Sequence, residues 1–470
     1  MRYLAAAYDE VVAAIGTALV TGKRPSRVSP FPELSQRDNG MPSISDGAWS
    51  GTGPSKYSSV LDIPYGDEEA QKRGKFPADV FPMLQALSAF VAENAEELPG
   101  YAGLPPPLLN NFTEYQIVLA ADEHFLRFGE VSPTAYSRTA ILGPLARGLL
   151  DERVELAVIV PIALIRFDFD RVRLSPDVFL TRMSPGLQCA RWQAKAYGAN
   201  GHDSVLAAAT HAFVLTGWGA PNGNVLALAQ TLSRFNPEVR ERIEPLFAAL
   251  RIETGVDTGY AQELRLARRW RHQHHHGMPS VYAAGARRYP EAFDDFGWTR
   301  DPLPLVTKAE MVRVSDLYRS LNDNGSDRLS LAVRRLNAAM IRPEVADAIL
   351  DATIALEILL GDGDGQAIAW KLRMRAAALV GLEEGRAQVE AINDAIKTVY
   401  DARSAIVHGA RRSKGPAEER AARALEAKDL ALASLRKILK LLLRHPQFFD
   451  PLCIDNELLI RPLFSEPDSR

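Results

Sequence analysis

Cysteine is nearly absent: Cys189 and Cys453 are the only two in 470 residues, and neither has a C-x-x-C partner. That excludes a disulfide framework and a zinc ribbon, and it points to a reducing compartment. Neither sign of charge is in excess. Lys and Arg number 55 and Asp and Glu 58, for a net charge of −3 at pH 7. A chain so balanced does not hold nucleic acid by bulk attraction, so any RNA site must be local. Long apolar runs are missing too. The longest, Leu156–Ile165, contains Pro161 and falls short of the ~20 residues that span a bilayer. Met1–Val20 is apolar and Ala-rich, but Asp9 and Glu10 interrupt any signal-peptide core. These absences predict a cytoplasmic protein with no membrane partner.

What is present is ordinary for a globular protein: 47% hydrophobic and 24% charged residues. The length allows two or three domains, each with its own core. One helix is expected over 1–22. Residues 23–78, rich in Pro, Ser, Gly and Asp, read as a long loop or partly disordered insert. Helices are expected over 79–97 and 113–150, the latter interrupted near Pro133 and Gly143. The period then changes. Val154–Ile165, Ile165–Leu174, Val178–Met183 and His211–Thr216 read as strands. Helices are expected again over 222–252 and 258–271. Residues 285–305 make the best boundary. Beyond it six helices are predicted, over 307–321, 326–340, 343–360, 366–380, 386–408 and 416–444, with Pro343 and Pro416 at first-turn positions. The fold class is therefore an α+β N-terminal region followed by an all-α helical bundle. The predicted domains are 1–300, a helical domain over 306–448 and a tail over 449–470.

Two local patterns invite chemistry. Gly51-Thr-Gly-Pro-Ser-Lys56 faintly resembles a phosphate loop, but it lacks the full G-x4-G-K-[S/T] spacing and no apolar strand precedes it. Arg268-Arg-Trp-Arg-His272-Gln-His274-His275-His276 has three readings: an exposed basic loop after a helix, a metal site, or an RNA-facing patch partly charged near pH 6. No metal or other cofactor is assigned from the sequence.

The most informative stretch is Ala395–Gly409. Ile396, Val399, Ile406 and Val407 recur at helical spacing, and Gly409 stands where a left-handed cap would end the helix. Arg403 falls on the apolar stripe, where an unpaired arginine is costly. Tyr400, Ser404 and His408, spaced i, i+4, i+8, line one edge of the helix. Arg403 and His408 lie roughly 140° apart around the axis and flank that edge. An arginine matches phosphate oxygens and a histidine exchanges protons near neutral pH, so the pair suits RNA cleavage through the ribose 2′-OH. The alternative is structural: Arg403 pairs with an acid such as Glu357 and pins two helices, while His408 caps a helix end.

Val399-Tyr-Asp-Ala-Arg-Ser-Ala-Ile-Val-His-Gly409 resembles the R-x4-H motif of HEPN domains, in the form common to the ApeA-like branch. Ala355-Leu-Glu357-Ile-Leu-Leu360 and Leu372-Arg-Met-Arg375-Ala-Ala377 extend the resemblance over roughly residues 325–445. The resemblance implies a HEPN bundle and a metal-independent endoribonuclease, with Arg403 and His408 catalytic. Ser404 and Tyr400 would support substrate, and Glu357 and Arg375 the fold. It further implies RNA as partner, a homodimer in which two motifs form one cleft, and an anti-phage or toxin-like setting whose phage-derived or nucleotide trigger is unknown. Some toxins of this family carry a tyrosine two residues after the histidine. Gly409 and Ala410 follow here, so regulation through that tyrosine is not expected. Two other functions stay open: a non-catalytic module binding RNA, nucleotide or a protein partner, and a metal-dependent hydrolase using His272–His276.

Overall fold

A computed structural model describes residues 1–47, 51–61, 76–129, 132–195, 201–323, 326–363, 365–408 and 416–461. The chain divides into two compact units. The first is Met1–Pro161, Thr181–Phe235 and Ala261–Arg287; the second is Ile162–Leu180, Asn236–Tyr260 and Arg288–Arg470. Helix and sheet mix in the N-terminal region and the C-terminal half is helical, so the chain is α+β and then all-α.

In the first unit α1 (Arg2–Val20), α2 (Pro82–Asn94), α3 (Pro106–Phe128) and α4 (Ala135–Leu150) enclose one core. Among the described residues α1 is the one helix long and apolar enough to cross a membrane. Leu4, Tyr8, Val11 and Ile15 repeat every three or four residues and are buried in that core. The two acids that break its hydrophobic run have structural partners. Asp9 pairs with Arg138 at 2.8 Å, and Glu10 accepts the N–H groups of Met83 and Leu84 at 3.0 and 2.9 Å. A carboxylate there satisfies orphan donors at the start of α2.

Among the strands that follow, the four longest are β1 (Arg153–Pro161), β2 (His211–Pro221), β3 (Tyr260–Ala267) and β4 (Val281–Arg288), which pair in the order β4-β3-β1-β2. β1 and β2 are antiparallel from Arg153↔Pro221 to Pro161↔Ala212, with a register shift between Leu156 and Val158. β3 lies antiparallel to β1, with Leu264 opposite Ile159. This corrects the helix expected over 258–271. Gln262, Glu263, Leu264, Arg265 and Leu266 are good helix formers. Tyr260 through Arg265 are nevertheless all buried, as in a central strand. Glu263 and Arg265 neutralise each other at 3.2 Å.

The insert over 23–78 is more ordered than expected where it is described. Ser26–Arg27 pairs with Ser55–Lys56, and Glu33–Gln36 with Pro42–Ser45. Lys56 is thus a strand residue followed by a single 3₁₀ turn, Tyr57–Val60. Among the described residues no long helix directly follows the faint phosphate loop to receive a phosphate at its N-terminus.

In the second unit α5 (Pro237–Thr254) precedes the predicted series: α6 (Lys308–Asp323), α7 (Asp327–Ala339), α8 (Val345–Leu360), α9 (Ile368–Val380), α10 (Arg386–Val407) and α11 (Ala417–Arg444). Ile349, Leu356, Leu359 and Leu360 of α8 and Leu435, Ile438, Leu439 and Leu442 of α11 are buried. Each fully buried aliphatic side chain contributes about 1.5–3 kcal/mol. Two cap positions differ from expectation. Pro343 lies two residues before the first helical residue of α8, and Pro416 is the N-cap of α11. Beyond α11 the chain is helical again over Pro451–Ile460.

Candidate functional site

Residues 395–408 close α10. Ile392, Ile396 and Val399 are buried at i, i+4 and i+7, and α10 packs against α8, α9 and α11. The helix ends at Val407. His408 is the C-cap residue, exposed, and its N–H donates to the Ser404 carbonyl at 3.0 Å. Gly409, expected as a left-handed cap, lies outside the described residues.

Arg403 sits at the edge of the buried stripe. One of its terminal nitrogens, Nη2, is 3.6 Å from Oε1 of Glu357 on α8, with the two side chains 27% and 24% exposed. An N–H···O hydrogen bond spans 2.7–3.2 Å, so this is an ion contact without one. Among the described residues neither Arg403 Nε nor Glu357 Oε1 has a hydrogen-bond partner. The guanidinium carbon is 5.6 Å from the centre of the Tyr400 ring. Burial raises the Tyr400 hydroxyl pKa and the Glu357 carboxylate adds to this, while Arg403 opposes it. Tyr400, Arg403 and Glu357 are thus brought together. Half-buried Ser404 follows on the same turn.

Arg375 is placed quite differently. It is 2% exposed, and every nitrogen has a partner. Nε and Nη2 donate to Asp455 at 2.8 and 2.6 Å, Nη2 also to Asp362 at 2.7 Å, and Nη1 to the Leu360 carbonyl at 2.6 Å. It therefore ties α9 to the end of α8 and to the helical stretch after α11. Asp455 fell within the predicted tail. Its signal was Asp450-Pro451, an N-cap followed by an N1 proline; the Asp450 carboxylate accepts from Leu452 N–H at 3.0 Å. Arg375→Ala is expected to cost about 3 kcal/mol, because Asp455 loses its partner and Asp362 is left with Lys371 in place of two cations. Urea unfolding measures it, and a loss below ~1 kcal/mol, the range of an exposed pair, would contradict this placement.

The histidine loop corrects the exposed-patch reading. Its backbone lies against α4: Arg271 N–H donates to the Pro144 carbonyl at 3.0 Å, and a Cβ at Gly148 would overlap the Arg271 carbonyl. His272 and His274 are buried, His275 and His276 partly so. His274 donates from Nε2 to the Ile141 carbonyl and accepts from Arg271 at Nδ1, each at 3.0 Å, which fixes a neutral ring. Burial, reinforced by Arg271, pushes its pKa down to about 3. Burial likewise takes His272 and His275 down to about 4. These rings are uncharged at pH 6. Among the described residues no group of three His, Cys, Asp or Glu side chains is arranged to hold a metal ion.

No known protein family, curated protein or solved structure matches the chain.

Proposed function

We propose that the helical region of the second unit is a HEPN-type endoribonuclease domain that cleaves RNA without a metal ion. In the cleavage the ribose 2′-oxygen attacks phosphorus as a base removes its proton. The bond to the 5′-oxygen breaks, and that oxygen takes up a proton. The products are a 2′,3′-cyclic phosphate and a 5′-hydroxyl. His408 is the proton-exchanging group, and Arg403 stabilises the charge that builds on phosphorus. In a homodimer two copies of His408 share one cleft, so one accepts a proton while the other donates.

The observation that carries this reading is how loosely Arg403 is held. A partly exposed pair without a hydrogen bond is worth at most about 1 kcal/mol, whereas charge-assisted bonds to phosphate contribute about 1.5–3 kcal/mol each. RNA can therefore recruit Arg403 away from Glu357. Arg375, with every nitrogen engaged, cannot be recruited so cheaply. Tyr400 offers a ring for a base to stack on, and Ser404 a hydroxyl for the substrate. The motif resemblance adds a cytoplasmic, toxin-like or anti-phage role.

The Arg403–Glu357 contact itself favours a second reading, a non-catalytic module in which this pair only pins α8 to α10. Expression in a host separates the two. The nuclease reading expects growth arrest by the wild type that Arg403→Ala and His408→Ala both relieve. Variants as toxic as the wild type would remove it.

A further inference from the structure

Arg240, Glu244, Phe247 and Arg251 recur every three or four residues along α5 and so share a face. In the folded second unit Arg240, Glu244 and Arg251 line a cavity of about 40 Å³ together with Arg288, Arg334 and Asn337. That volume holds roughly three waters at the ~10–15 Å³ each requires, or one group the size of a phosphate. We propose that this cavity binds a small oxyanion, either free phosphate or the phosphoryl end of a nucleotide.

Four guanidinium groups line the cavity beside a single carboxylate. That carboxylate is occupied: Glu244 takes Arg240 Nε at 3.3 Å and Asn337 Nδ2 at 2.5 Å. Arg240 is thereby offset, and three cations are left. The side chains of Arg288 and Arg334 make no hydrogen bond or ion pair among the described residues.

Arg251 is 3% exposed, yet it forms no ion pair among the described residues. Its two terminal nitrogens donate to neutral acceptors, Asn337 Oδ1 at 2.7 Å and the Thr258 carbonyl at 2.5 Å, and among the described residues Nε has no partner. Burial pulls its pKa down to about 10, with Glu244 and Asp257 opposing. A buried cation with no carboxylate in contact costs several kcal/mol; Glu244 and Asp257 offset part of this without an ion pair, and an anion in the cavity lowers the rest. Planar guanidinium forks match the oxygens of phosphate in pairs. The rings of Phe247 and Tyr260, 5.1 Å apart, form an apolar wall that strengthens such bonds by lowering the local dielectric.

This site is independent of RNA cleavage. The test is calorimetric titration of the full-length chain with sodium phosphate and, separately, with ATP, at constant ionic strength and with sodium chloride as the control. Saturable binding of phosphate or ATP is expected, weakened about ten-fold or more by Arg334→Ala and by Arg288→Ala, since each removes a charge-assisted bond. Arg334 is exposed, so its variant keeps the fold. ATP binding tighter than phosphate identifies a nucleotide site; equal or weaker binding identifies a free-phosphate site. No heat beyond chloride, or wild-type affinity in both variants, overturns the proposal.

Discussion

His408→Ala is expected to lower RNA cleavage by about 10²–10⁴-fold, the usual yield of one proton-transfer group. Arg403→Ala is expected to cost about 10²–10³-fold, as when one charge-stabilising donor is lost. Arg403→Lys restores little, because a point charge does not reproduce the two-pronged contact. The double variant is only slightly worse than the more severe single one, since both groups serve the same transition state. His408 is exposed and Arg403 about a quarter exposed. Neither variant should therefore shift stability by much more than ~1 kcal/mol, and an activity loss of this size cannot then be unfolding. Initial rates on a labelled RNA, with urea midpoints measured alongside, check both halves. Equal rates for wild type and His408→Ala would remove the imidazole from the chemistry.

The second large effect is acid lability. His272, His274 and His275 have pKa values lowered to about 4, 3 and 4, chiefly by burial, against about 6.5 in the unfolded chain. As pH falls below 6.5 the unfolded chain takes up protons that the folded chain refuses. Folding stability is therefore complete above pH 6.5 and declines toward the folded values. Between pH 7 and 5 each ring contributes a loss of about 2 kcal/mol. Asp122 works in the opposite sense. Burial raises its pKa to about 6, so it returns about 1 kcal/mol over the same interval. The net loss is roughly 4 kcal/mol, a large share of the 5–15 kcal/mol that holds a typical domain folded. Urea unfolding of the full chain at pH 7, 6 and 5, followed by tryptophan fluorescence, to which Trp270 beside the loop contributes, should show it. A flat profile would mean that the histidine loop is not buried in solution.

The helices of the second unit were legible because their apolar residues keep a strict 3.6-residue period, as Ile392, Ile396 and Val399 do. β3 was not. Its helix-forming sequence is held extended by pairing with β1 and by burial on both faces. The histidine loop misled for a related reason. Local composition reads as basic and exposed, and only Gly148 and the carbonyls of α4 show that it is covered. At the candidate site, Arg403, Tyr400 and Glu357 could be named from spacing and motif. What spacing cannot give is the 3.6 Å length of the Arg403–Glu357 contact or the full engagement of Arg375. Those depend on how α8, α9 and α10 cross. The four arginines on the oxyanion cavity come from segments as far apart as Arg240 and Arg334, beyond the reach of any local pattern.

The most direct test is end-group analysis of RNA treated with the purified full-length protein in EDTA. Metal-free cleavage is expected to leave fragments ending in 2′,3′-cyclic phosphate and 5′-hydroxyl with the wild type, and none with His408→Ala. Cleavage that stops in EDTA, or fragments carrying 5′-phosphates and 3′-hydroxyls, would contradict it.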